Sequence, residues 1–158
     1  MIHEPSYVHP TAELGTETVV WRFASVGEDS KFGARCVIGS NVYIGKRVHA
    51  GCDVHIQHGA FVPNGTFIGN RVFIGPLVVL CDDAYPKVCN FMYKAEPPIL
   101  EHDCSLGAGA VILPGITIGA GAIIGAGAVV TKSVPAGETW IGVPAEATVS
   151  HNDERLPT

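Results

Sequence analysis

Leucine is scarce in this chain: 7 Leu stand against 19 Val and 13 Ile in 158 residues. β-Branched side chains are stiff at χ1 and suit strands, whereas helical bundles lean on Leu, Glu and Lys, so a bundle or coiled coil is excluded. Charge is sparse as well, at 16% of residues with a net charge of -5, and the only basic run is Lys46-Arg47. That leaves no electrostatic footprint for nucleic acid or an anionic membrane surface. A 47% hydrophobic content excludes a chain that fails to collapse. The five cysteines, Cys36, Cys52, Cys81, Cys89 and Cys104, contain no CxxC spacing. Met1-Ile2-His3-Glu4-Pro5 has no leader-like apolar run. Free thiols and a cytoplasmic location are therefore expected.

Residues 106–131 contain no charge and include Gly121-Ala122-Ile123-Ile124-Gly125, a formal GxxxG. Pro114 and seven Gly within the same stretch argue against a membrane helix. A period of six explains it better. Stepping by six from Ile2 meets Val8, Leu14, Val20, Val26, Phe32, Ile38, Ile44, Ala50, Ile56, Val62, Ile68, Ile74 and Leu80, thirteen of fourteen large and apolar. Chance gives that outcome on the order of once in a million. Four residues after each such anchor stands a small or β-branched residue, as at Ala24, Ser30, Cys36, Val42 and Ala60. Gly often follows the anchor directly, as at Gly15, Gly39, Gly75 and Gly107, and is expected to supply corner φ/ψ values.

The register breaks after Tyr85 and resumes, shifted, at Leu100, Leu106, Ile112, Ile118, Ile124 and Val130. Pro86 to Ile99 is thus expected to be a loop inserted into an otherwise regular solenoid, and a long loop among tight corners is usually functional. Each six-residue unit fits a short strand plus a corner, stacked so that anchors bury against the repeats above and below. Residues 1–148 are expected to form one such domain, and 149–158 a polar tail.

The repeat resembles that of the hexapeptide-repeat acyltransferases. This likeness implies an all-β fold, a left-handed parallel β-helix of about six to seven coils with one long inserted loop; the handedness comes from the resemblance alone. The run Ile124-Gly-Ala-Gly-Ala-Val-Val-Thr-Lys132, with Gly142-Val-Pro-Ala145, is similar to the terminal coil of coenzyme A-dependent members. In those proteins the pantetheine arm lies along Gly/Ala corners in a groove between subunits of a homotrimer. The resemblance implies acetyl-CoA as cosubstrate, Gly107, Ala108, Gly125 and Ala126 along its arm, and Lys132 at its phosphates.

Val20-Trp-Arg-Phe, Ile38-Gly-Ser-Asn-Val-Tyr, Ile56-Gln and Phe73-Ile-Gly-Pro-Leu-Val-Val-Leu-Cys-Asp-Asp-Ala-Tyr-Pro-Lys87 are similar to sugar-nucleotide N-acetyltransferases. The implied reaction acetylates an amine on a UDP- or dTDP-linked sugar, with no metal, membrane or nucleic-acid partner. Asp82 stands where those relatives have Asn, and Lys87 where they have Arg, which loses bidentate phosphate geometry. His55-Ile-Gln-His58 resembles the His-containing coil in which an imidazole deprotonates the acceptor, making His58 the candidate base and Asp82 the group that orients the amine. Asn41, Gln57, Asp83, Tyr85 and Lys87 are the candidate substrate contacts. Bland roles exist for each: corner chemistry for the glycines, a solvated wall for His58, a turn for Asp82-Asp83. Three other readings stay open. They are O-acetylation of a sugar or serine hydroxyl, a γ-class carbonic anhydrase-like zinc protein using histidines among His49, His55, His58 and His102, and an inactive assembly module.

Overall fold

Two-residue strands alternate with four-residue corners from Tyr7–Val8 to Val79–Leu80 and again from Ile99–Leu100 to Val129–Val130. The computed structural model describes residues 1–148; the polar tail at 149–158 lies outside them. Outside the insertion and the last coil, strands pair in parallel with the strand 18 residues further on, and across the insertion with the strand 32 residues further on. Three flat faces result, as 7-, 6- and 8-stranded sheets. The first carries Tyr7, Ser25, Tyr43, Phe61, Val79, Val111 and Val129 outward. The second carries Glu13, Lys31, His49, Phe67, Ile99 and Thr117, and the third Val19, Val37, His55, Phe73, Ser105 and Ile123. The molecule is a three-sided parallel β-helix. Among the described residues no helix is long and apolar enough to cross a membrane, and residues 106–131 fold as strands and corners.

The inward positions are the two that the period predicts. Anchors Ile38, Ile44, Ile56, Ile68, Ile74, Leu80, Leu100, Leu106, Ile112, Ile118 and Ile124 are fully buried, as are the small partners Ala60, Ala110, Ala122 and Ala128. Each buried Ile or Leu contributes about 1.5–3 kcal/mol, which makes the axial column the main source of stability. Ala50 is the single small anchor of the first run, between Phe32 and Ile68.

The glycines correct one expectation. Those that follow anchors do not supply the left-handed backbone; positive φ falls two residues later, at Phe23, Arg35, Asn41, Arg47, Asp53, Arg71, Leu77 and Asp103, and at Gly59, Gly109, Gly121 and Gly127. Glycine after the anchor answers a different need, which is close approach of the next coil. A Cβ on Gly107 would lie 2.4 Å from the Ala126 nitrogen, and one on Gly75 2.8 Å from that of Ala108. Gly107→Ala is therefore expected to cost about 2 kcal/mol or more through backbone displacement. Gly109→Ala, at φ +69 with nothing within 4 Å, is expected to cost about 1 kcal/mol of left-handed strain alone. Thermal melts of the two variants check the order.

The insertion has the expected length and a shifted end. Phe67 pairs with Ile99, and Arg71 meets Asp103 across 32 residues where other coils span 18, so fourteen residues are extra. Ile99, however, belongs to the strand Ile99–Leu100, because its backbone is taken up between Phe67 and Thr117. The loop proper runs from Cys81 to Pro98, whose buried ring fills the small inward position before Leu100. Above the last coil, Thr139–Gly142 pairs antiparallel with Ala145–Ala147 and closes the sheet end.

Candidate functional site

The three edges of the prism differ in chemistry. The edge between the second and third faces bears a column of alternating charge, Glu17, Arg35, Asp53, Arg71 and Asp103. Bidentate pairs tie Arg35 to Asp53 at 2.7 Å and Arg71 to Asp103 at 2.6 and 2.8 Å. The guanidinium groups hold both carboxyls below the usual carboxylate range. This edge reads as solvated stapling between coils.

The edge between the third and first faces carries almost no charge. Its coils contribute residues 21–24, 39–42, 57–60, 75–78, 107–110 and 125–128. A hydrogen-bond ladder fixes their stacking. Asn41 N–H donates to Arg22 O at 3.3 Å, Gly59 to Ser40 at 2.9 Å, Leu77 to His58 at 3.0 Å, Gly109 to Pro76 at 2.8 Å and Gly127 to Ala108 at 2.8 Å. One column thus runs Arg22, Ser40, His58, Pro76, Ala108, Ala126. At a strand spacing of ~4.8 Å, His58 and Ala126 are about 14 Å apart along it.

The column amides of the three edges are capped by side chains to different degrees. On the charged edge, Cys52 N–H donates to Asn70 Oδ1 at 2.8 Å, Asn70 N–H to His102 Nδ1 at 2.9 Å and Ala120 N–H to Glu101 Oε2 at 2.9 Å. On the edge that bears the loop, Lys46 N–H donates to Asn64 Oδ1 at 2.7 Å. On the glycine edge, among the described residues, no side chain caps the column: the N–H groups of Ser40, His58, Ala108 and Ala126 have no acceptor, as is also true of Ala34 and His102 on the charged edge and Asn64 on the edge that bears the loop. Glycine beneath them and methyl side chains beside them leave the Ala108 and Ala126 amides open to a ligand oxygen.

The histidines separate by the same test. His102 Nδ1 takes a backbone amide, His49 Nδ1 pairs with Arg47 O at 3.1 Å, His9 pairs with Thr11, and His3 stacks on Trp21. Among the described residues, only the rings of His55 and His58 have no such partner. His55 stands on the third face between Val37 and Phe73, and His58 on the glycine edge. Within one chain, His49, His55, His58 and His102 occupy different faces and edges, and no three His, Cys, Asp or Glu among the described residues are placed to hold a metal ion. The thiols of Cys36, Cys81 and Cys104 are raised by burial, Cys104 to about 12, so they stay protonated and are poor nucleophiles.

Asn41, Gln57, His58, Gly107, Ala108, Gly125 and Ala126 are therefore brought together on one edge. Asp82, Asp83, Tyr85 and Lys87 are not: they sit on the inserted loop, at the edge between the first and second faces. There the Asp82 carboxylate accepts the Tyr93 hydroxyl at 3.0 Å, and its carbonyl accepts Glu96 N–H at 2.8 Å. Burial, with the Asp82 carboxylate, raises the Tyr93 phenol. Asn90 bridges Tyr85 O and Met92 N–H, so the loop is folded on itself. Tyr93 and Asn90 escape sequence reasoning because loop contacts have no period. Lys132 is also away from the glycine edge within one chain: its ammonium lies 5.2 Å over the Trp140 ring, on the loop side of the last coil.

Triangular coils of six-residue units define a class of fold, the hexapeptide-repeat solenoid, and the chain has that architecture. Residues 97–132 match the family described as bacterial transferase hexapeptide (six repeats), and residues 24–70 match hexapeptide repeat of succinyl-transferase. The chain is 45% identical over 53 residues, 34% of its length and 22% of the relative's, to a 2,3,4,5-tetrahydropyridine-2,6-dicarboxylate N-acetyltransferase of Staphylococcus aureus. Among solved structures it is similar to a histidine-to-alanine variant of GDP-perosamine N-acetyltransferase from Caulobacter crescentus in complex with CoA and GDP-perosamine. That likeness has a TM-score of 0.60 and 26% identity over 94% of this chain and 56% of that one. It is also similar to a hexapeptide-repeat-containing acetyltransferase from Vibrio cholerae, at a TM-score of 0.50 and 26% identity over 79% of this chain and 72% of that one. The chain spans less than a quarter of the curated relative and little more than half of the perosamine enzyme.

Proposed function

We propose that this protein is an acetyl-CoA-dependent N-acetyltransferase acting on an amine of a nucleotide-linked sugar, with the glycine edge as its transfer site. The observation that carries this reading is the pair of open amides at Ala108 and Ala126, in one column with the unpartnered imidazole of His58. A narrow pantetheine arm is held well by backbone donors where side chains are absent. The similarity to a GDP-perosamine enzyme supports a nucleotide sugar and extends the choice of base beyond UDP and dTDP.

In the reaction the substrate amine attacks the thioester carbonyl, a C–N bond forms, and the C–S bond breaks to release CoA thiolate. Open amides on the edge stabilise the oxyanion, and His58 Nε2 or Nδ1 takes the amine proton. A thiolate leaves readily, so no strong general acid is required.

Asp82, Asp83, Tyr85, Lys87 and Lys132 reach such a site only across a contact between two copies. A homotrimer that sets the glycine edge of one copy against the loop edge of the next completes it. Exposed Tyr43, Phe61 and Val79 on the first face and Phe73 and Ile123 on the third flank the glycine edge and suit such a contact. Deletion of residues 85–98 tests the loop's part. It restores an 18-residue coil, with Ala84 entering the small inward position held by Pro98. The variant is expected to fold and to bind acetyl-CoA while losing at least tenfold in kcat/KM for the amine. A variant that unfolds assigns the loop to structure instead.

A further inference from the structure

Among the described residues most cations are occupied. Lys31, Arg35, Lys46, Arg71 and Lys94 face carboxylates, and Lys132 covers Trp140. Arg22 is exposed, has no carboxylate partner among the described residues, and is the one Lys, Arg, Asp or Glu on the glycine edge between residues 21 and 128, with Glu4 one coil below it. Its carbonyl accepts from Asn41, which places it in the column of His58, two coils below, or about 10 Å.

The adjoining column holds planar groups with a gap. It reads His3, Trp21, Gly39, Gln57, Gly75, Gly107 and Gly125. His3 and Trp21 stack at 4.5 Å with planes 5° apart, so rings sit in this column at about the coil repeat. On the other side of Trp21, which is 44% exposed, the next level is Gly39 and carries no side chain; Gln57 closes the level beyond. Gly39 lets the next coil close on its backbone, where a Cβ would lie 2.8 Å from the His58 nitrogen. No side chain therefore covers the outward part of the exposed Trp21 ring on that side, with Arg22 beside it and His58 one coil above Gly39. Phe23, 62% exposed, flanks the same place.

Resting on the proposed function, we infer that Trp21, the Gly39 level and Arg22 form the nucleoside-diphosphate subsite. The base stacks on the free face of Trp21, Arg22 grips the diphosphate with its forked N–H donors, and the sugar amine points up the edge to His58. The subsite recognises the nucleotide through stacking and phosphate charge, which makes it tolerant of base identity.

Calorimetric titration of the full-length protein with UDP, dTDP and GDP tests the assignment without any acetyl transfer. At least one should bind and quench Trp21 fluorescence; the other tryptophan, Trp140, is buried at the far end. Arg22→Ala and Trp21→Ala should each weaken that nucleotide at least tenfold, with Arg22→Lys and Trp21→Phe intermediate and acetyl-CoA binding unchanged within about twofold. Because Arg22 is an exposed side chain, its variant keeps the test valid even where Trp21→Ala fails to fold. Unaltered nucleotide affinity in Arg22→Ala, or no nucleotide binding by the wild type, overturns the subsite. Acetyl transfer that persists alongside either result leaves the proposed function standing. Nucleotide binding lost in the variants, with no transfer to any amine by the wild type, does the reverse.

Discussion

Replacing His58 by Ala is expected to lower kcat for amine acetylation about 10²–10⁴-fold, with KM for acetyl-CoA changed no more than a few fold. The expectation rests on position and on what His58 lacks. Its ring has no hydrogen-bond or stacking partner among the described residues, while His102, His49, His9 and His3 are each engaged. It projects from a corner whose backbone is fixed by Leu77 N–H donating to its carbonyl, so truncation removes an imidazole and leaves the coil in place. A sugar ammonium must lose a proton before or during attack, and between residues 39 and 128 His58 is the one titratable side chain on the edge with the open amides. Steady-state rates on a variant with an unchanged melting temperature check the prediction. Turnover within about threefold of wild type would assign the proton to the departing thiolate and return His58 to the solvated wall. A hydroxyl acceptor depends on the base more strongly than an amine, so His58→Ala also separates O-transfer from N-transfer.

Proline at Ala126 is expected to raise KM for acetyl-CoA at least tenfold, and proline at Ala108 to lower kcat by about 10²–10³-fold. Each substitution deletes one amide hydrogen, and removal of an oxyanion donor costs about 2.7–4 kcal/mol in other acyl transfers. The fold itself supplies the control: Pro76 already occupies the same column between His58 and Ala108, so the backbone there accepts the fixed φ of proline. Isothermal titration with CoA and rates with acetyl-CoA measure the two effects. If both variants bind and turn over as the wild type does, the open amides are corner chemistry only. A variant that loses its structure would be distinguished by its circular dichroism, and Ala108→Ser, which keeps the amide, should remain active.

The solenoid was legible because a period of six turns every apolar anchor inward, and the length of its interruption could be counted although its end could not be placed to the residue. Glycine after the anchor was legible as a signal and misread as a cause. Positive φ and close approach both favour glycine, and only the coil-to-coil distance at Gly75 and Gly107 tells them apart. The grouping of Asn41 and His58 with Gly107, Ala108, Gly125 and Ala126 follows from residues repeating at 18, once the 14-residue offset is allowed for. The placement of Asp82 away from His58 follows from the same count. The contacts of Tyr93 and Asn90 inside the loop, and the seat of Lys132 over Trp140, depend on side-chain packing without period and leave no trace in the sequence.

The most direct test is release of free CoA thiol from acetyl-CoA by the folded protein, measured across a panel of UDP-, dTDP- and GDP-linked sugars that carry an amine or only hydroxyls, with the product analysed by mass spectrometry. Amine-dependent thiol release with one acetyl group gained at nitrogen, reduced by Ala108→Pro and Ala126→Pro, is the predicted result. No release with any amine acceptor, or release confined to hydroxyl acceptors, would contradict it.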